Sequence, residues 1–167
     1  GVHDGCNAYA MHFSYCKPPV NGWALRQIMR HVKLTRSQLK TAYRKLRKWT
    51  DWWTRTRDDD RDGVCQYNHG NDSGWDNATC FDVGVPIEGP ELAAFLAIQM
   101  DVLADLAKTL GKKKAAKRWA KASEAMVQRL LEHSWDGERM LAMRSGDHAT
   151  SPAGDSLIPF VPLVLGK

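Results

Sequence analysis

The residues best equipped for chemistry stand in one stretch, Tyr67-Asn68-His69-Gly70-Asn71-Asp72-Ser73-Gly74-Trp75-Asp76-Asn77. Gly70 and Gly74 permit tight backbone turns there, and Trp75 offers a flat apolar face next to Asp76. Sugars bind such surfaces, because an aromatic ring packs against the C–H face of a pyranose while Asp and Asn accept from and donate to its hydroxyls. A carboxyl group held beside a large aromatic is also harder to ionise, and a raised pKa is what protonation of a glycosidic oxygen requires. Asp76 is the candidate general acid on this reading. The same residue types also describe an Asn/Asp/Gly-rich loop whose Trp fills a gap in the core, and composition alone does not separate the two.

A second cluster is Asp58-Asp59-Asp60-Arg61-Asp62-Gly63-Val64. Carboxylates at the first, third and fifth positions, Gly at the sixth and a carbonyl at the seventh match the first half of a calcium loop, so Asp58, Asp60, Asp62 and Val64 are candidate ligands. The second half does not follow. The twelfth position is His69 rather than a bidentate Glu, so that ligand would come from elsewhere, and Glu124 is one candidate. The plain alternative is a solvated Asp-rich turn neutralised by Arg57 and Arg61. A structural calcium is thus the one cofactor the sequence points to, and the hydrolysis itself requires none.

These clusters need a scaffold, and the chain supplies mostly helix. After Pro18-Pro19, Leu25, Ile28, Met29 and Val32 share one helical face. From about Thr35 to Arg55, Leu39, Tyr43, Leu46, Trp49 and Trp53 recur at three- and four-residue steps, with basic residues around them. A third helix runs from Pro90-Glu91 to Gly111 and is apolar on several sides, as an inner helix would be. A fourth, from about Lys113 to His133, turns Trp119, Ser123, Met126 and Leu130 inward with small residues Ala116 and Ala122, like an outer partner. Trp135-Asp136-Gly137 reads as a turn followed by a short extended run over Arg139 to Met143, and the chain closes on the apolar stretch Leu157 to Gly166. No alternation of strand and helix predicts a parallel sheet, so the fold class expected is all-α.

At 167 residues, 43% hydrophobic and 26% charged, the chain can build one globular core. Its net charge of +5 comes from two basic stretches, Arg36 to Lys48 and Lys112 to Lys121, that fall on the polar sides of amphipathic helices; without a basic stripe interleaved with aromatics, no nucleic-acid partner is expected. No apolar run reaches the roughly 18 residues needed to span a bilayer, so no membrane partner is expected, and the lack of a targeting segment in Gly1-Val2-His3-Asp4 points to the cytoplasm. Cys6, Cys16, Cys65 and Cys80 show no C-x-x-C spacing and are read as buried thiols.

The run His69-Gly70-Asn71-Asp72-Ser73-Gly74-Trp75-Asp76-Asn77, preceded by Lys17-Pro18-Pro19-Val20-Asn21-Gly22-Trp23-Ala24 and by Trp52-Trp53 with Arg57-Asp58, resembles glycoside hydrolase family 63 and its relatives. These include the processing α-glucosidases and the mannosylglycerate-hydrolase-like enzymes, with trehalases more distant. The likeness extends over nearly the whole chain. It implies a six-hairpin (α/α)6 toroid in which the carboxylate at Asp76 protonates the leaving oxygen and water attacks with inversion. It also implies that Lys17 and Trp23 line the sugar pocket, that Gly74 approaches it through its backbone, and that His69, Asp72, Trp75 and Asn77 stand in or behind it. Relatives sometimes carry a metal at the Asp58 loop. Asp72 replaces a more common glutamate, and Ala78-Thr79-Cys80-Phe81 departs from the usual pattern. The base expected of an inverting pair is matched by no motif here, and four to five helices do not close the ring. The expectation is therefore that residues 1–167 form part of such a domain, with the rest of the toroid supplied by further sequence and a carbohydrate as substrate.

Overall fold

The computed structural model describes residues 15–151 and 156–166. Helices begin and end in it where the sequence supplies caps. Thr35 caps α2 (Arg36–Thr56) through a capping box with Gln38, each satisfying the other's backbone N–H. Pro90 opens α4 (Pro90–Thr109), with Glu91 in the first turn near the positive end of the helix dipole. Gly111, at φ 77°, takes the left-handed conformation that ends α4 and turns the chain into α5 (Lys113–Ser134). Ahead of these lies α1 (Asn21–His31), and between α2 and α4 lies a single turn, α3 (Gly70–Ser73).

Helix α4 is the hub. Leu92, Leu96, Leu103 and Leu106 are fully buried on it, along with Ala94, Ala97 and Ala107, and α1, α2, α5 and the 3₁₀ segment Ile158–Leu165 all pack against it. The inner helix and its outer partner are thus as the apolar patterns predict. Trp119, Met126 and Leu130 of α5 face inward, and Ser123 Oγ donates to the Ala97 carbonyl at 2.8 Å. A buried polar relay ties α1, α2 and α4 together: Gly22 N–H donates to Gln99 Oε1 at 3.1 Å, and Gln99 Nε2 donates to Thr50 Oγ1 at 3.0 Å. A Cβ at Gly22 would lie 2.5 Å from Gln99 Cα, so only glycine allows this approach.

That approach decides which side of α1 is covered. Leu25 packs on the core, and Arg26 pairs with Asp101 of α4 at 2.6 Å. Ile28 and Val32, expected on the same buried face, are instead 50% and 52% exposed. The helix is rotated by its polar and glycine contacts rather than by its apolar stripe.

A small antiparallel sheet, absent from the helical expectation, joins the ends of this framework. It runs β1 (Ile87–Glu88), β2 (Ala142–Arg144), β3 (Thr150–Ser151), with Ile87 opposite Arg144 and Ala142 opposite Ser151. The extended run read over Arg139 to Met143 becomes β2, entered through a turn in which Asp136 Oδ1 accepts from the Glu138 and Arg139 N–H groups at 2.8 Å. The fold is all-α apart from this sheet, the architecture of part of an α/α toroid. Cys16, Cys65 and Cys80 are buried free thiols, while Cys6 lies outside the described residues. Among those residues no helix is long and apolar enough to cross a membrane.

Candidate active site

The loop that carries Asp76 rests on an aromatic column. Trp53 of α2 and Tyr67 are fully buried and meet edge to face at 6.0 Å, and Tyr67 meets Phe81 at 6.3 Å. Tyr67 and Ile87 exchange backbone hydrogen bonds at 2.8 and 3.0 Å, which fixes where the loop departs from β1. His69 then caps α3, its Nδ1 accepting from the Asn71 N–H at 3.0 Å, with the Tyr15 ring 4.6 Å away. Ser73 Oγ donates to the Gly70 carbonyl at 2.7 Å and accepts from the Trp75 N–H at 2.8 Å. Gly74 turns left-handed at φ 76°, and the chain folds back until the Asp76 carbonyl would stand 2.9 Å from a Cβ on Gly70. Two glycines thus close the loop, one by conformation and one by lack of bulk.

The two carboxylates of this loop face opposite ways. Asp72 is buried; its Oδ1 accepts from the Cys16 N–H at 2.8 Å, and its Oδ2 lies 3.6 Å from Arg57 Nη2. Burial, reinforced by the Asp72 charge, pushes the neighbouring Cys16 thiol up to about 11. Asp76 is exposed, and among the described residues its carboxylate takes no hydrogen bond or ion pair. Trp75 beside it is 37% exposed, and Asn77 and Gly74 are exposed as well. The indole therefore lies on the surface and does not plug the core.

Of the residues named upstream, Lys17 comes to this loop directly: its Nζ donates to the Asn71 carbonyl at 2.7 Å, and the adjacent Pro18 lies 3.8 Å from where a Gly74 Cβ would stand. Trp23, in the first turn of α1, is 39% exposed. A groove of about 600 Å³ between the start of α1 and α2 is lined by Lys17, Pro18, Asn21 and Trp49, and it meets the Asp76 loop only through the Lys17–Pro18 stretch. Sequence reasoning passed over Arg57 and Cys16 as site-building residues, although Arg57 stands in the Trp52-Trp53-x₃-Arg57 stretch. Its guanidinium lies 5.3 Å over the Trp52 ring and reaches toward Cys16 Sγ at 4.0 Å and Asp72, holding the segment before α1 against the loop.

The Asp-rich loop is knit by its own backbone. Asp62 Oδ1 accepts from the Val64 N–H at 2.7 Å, Asp58 Oδ1 from the Gly63 N–H at 3.4 Å, and Asp60 Oδ2 from the Gly146 N–H at 2.9 Å and from His148 Nε2 at 3.0 Å. Carboxylate oxygens of Asp58, Asp60 and Asp62 lie within 4.8 Å of one another, as a shared cation would require. Burial raises the Asp58 and Asp62 carboxyls above the usual range; at Asp60 it is outweighed by His148 and by backbone donors, which hold that group low. Glu124 is exposed on α5, nine residues before His133 and so about 13 Å from it along the axis. The residues that join the loop are instead Glu88 and His133, and His69, at the twelfth position, is engaged in capping α3.

Residues 3–167 match the sequence model of the family described as mannosylglycerate hydrolase MGH1-like glycoside hydrolase domain. A search of curated proteins gives no match.

Proposed function

Because the chain belongs to the MGH1-like glycoside hydrolase family, of which it matches residues 3–167, we propose that it is the acid-bearing part of an inverting, exo-acting α-glycosidase that hydrolyses an oligosaccharide or small glycoside in an α-glucosidase-like manner. Asp76 is the general acid. Its proton passes to the glycosidic oxygen as the bond to the anomeric carbon breaks, while a water activated by a second carboxylate attacks from the opposite face. That base is supplied outside this chain, so the chain alone does not turn over.

The observation that carries this reading is the contrast inside the loop: Asp72 is spent on Cys16 and Arg57, whereas Asp76 is exposed next to an exposed indole. Sugar bound on Trp75 would supply the desolvation that raises an acid's pKa. Lys17, Trp23, His69, Asn77 and the backbone at Gly74 hold the sugar, and Asp72 acts by fixing the segment that carries Lys17. A cation at Asp58, Asp60, Asp62 and the Val64 carbonyl would brace the loop from behind without touching the reacting bond.

The alternative is a non-catalytic carbohydrate-binding remnant, consistent with a base missing from this chain. In the complete enzyme, Asp76→Asn should lower hydrolysis of glycosides with alcohol leaving groups by about 10²–10⁴ while sugar binding, followed through Trp fluorescence, persists. Undiminished turnover of such glycosides would refute the assignment, and a complete protein that binds sugar but never hydrolyses it would favour the remnant.

A further inference from the structure

Four residues from separate elements meet behind the Asp-rich loop: Asp62, Glu88 of β1, His133 in the last turn of α5, and His148 in the turn between β2 and β3. One donor atom from each lies within 4.8 Å of all the others. Glu88 is fully buried, and neither of its oxygens accepts a hydrogen bond. His133 Nε2 approaches to 2.7 Å but is not aligned as a donor, and its Nδ1 lies 3.6 Å from Asp62 Oδ2. His148 Nε2 is also 3.6 Å from Asp62 Oδ2, and the two imidazole rings meet edge to face at 4.9 Å.

A carboxylate buried without hydrogen bonds is strongly unfavourable unless a cation neutralises it. The donor set shows which cation. Calcium takes six to eight oxygen ligands, and two of the four donors here are imidazole nitrogens. Two imidazole nitrogens and two carboxylate oxygens in one cluster form instead the four-ligand set of a borderline dication such as zinc, and a site with four protein ligands is structural. We propose that Asp62, Glu88, His133 and His148 bind one zinc-class dication, which clamps the loop after α2, the end of α5 and the small sheet. Asp62 Oδ1 stays on the Val64 N–H, leaving Oδ2 to the ion. His148 Nε2, 3.0 Å from Asp60 Oδ2, exchanges that hydrogen bond for the ion. The inference is independent of the reaction assigned to Asp76.

The test uses the whole chain, stripped with chelator and titrated with Zn²⁺, Ca²⁺ or Co²⁺. Zn²⁺ should bind one per chain and raise the melting temperature in the presence of equimolar Ca²⁺, and Co²⁺ should give the intense visible bands of a tetrahedral nitrogen–oxygen site. His148→Ala, in an exposed turn, and the isosteric Glu88→Gln should each weaken Zn²⁺ binding by on the order of tenfold or more, whereas His31→Ala on α1 should leave it unchanged. The proposal is overturned if Zn²⁺ leaves the melting curve unmoved, if its affinity survives both cluster variants, or if equimolar Ca²⁺ displaces it.

Discussion

The connection from α2 to α4 carries two acidic loops, and they use their carboxylates in opposite ways. In the Asp58–Asp62 loop every second carboxylate is bound to backbone N–H groups, and two imidazoles close in from other elements. In the Gly70–Asn77 loop the division falls inside the motif: Asp72 is buried on Cys16 and Arg57, and Asp76 is exposed beside Trp75. A carboxylate buried against a backbone N–H and a guanidinium holds structure and is closed to a substrate. One left open beside an aromatic surface can.

The sharpest way to break this contrast is to remove the partner of the buried member. Arg57→Met leaves Asp72 buried without its countercharge and should cost about 3 kcal/mol in urea unfolding, as the loss of one side of a buried pair does; Asp76→Asn should stay within about 0.5 kcal/mol of the parent. Equal costs would erase the distinction.

A third carboxylate at the end of the same connection, Glu91, extends the comparison to pH. Its burial raises its carboxyl from 4.5 to about 7, with the backbone N–H groups of the first helical turn working against the shift. The folded state therefore holds this proton more tightly than the unfolded state, and stability falls as pH rises from about 4.5 to about 7 and then levels off. Glu91→Gln should remove that fall, gaining on the order of 3 kcal/mol relative to the parent above pH 7 and little below pH 4.5. A pH-independent difference would contradict it.

Smaller effects probe the geometry of the open loop. Gly70→Ala places a Cβ 2.9 Å from the Asp76 carbonyl and should cost about 1–3 kcal/mol while also lowering kcat, since the displaced backbone is the one that carries the acid. Lys17→Met removes the bond to the Asn71 carbonyl at an exposed site; stability should change by at most about 1 kcal/mol, with the effect appearing as a higher KM.

Much of this was legible in the sequence, for identifiable reasons. The caps at Thr35 and Pro90 and the all-round apolarity of α4 are local signals, and the helices form where those signals stand. The face that α1 buries was not legible, because it is set by Gly22 seating on Gln99, a contact 77 residues apart in the chain. The same holds for the metal-type cluster. Asp58, Asp60 and Asp62 share a recognisable spacing, but Glu88, His133 and His148 reach them through β1, α5 and a hairpin turn, and no spacing records that. At the candidate active site, residue types and family resemblance picked out the loop, while the opposite orientations of Asp72 and Asp76, four residues apart, emerge only from the turn at Gly74.

The most direct test of the central claim compares leaving groups in Asp76→Asn of the complete enzyme. Turnover of a substrate that releases a sugar or alkyl alcohol should fall by about 10²–10⁴, and turnover of the corresponding glycosyl fluoride, whose leaving group needs no proton, should stay close to that of the parent. Equal losses on both substrates, or no loss on either, would show that Asp76 is not the acid.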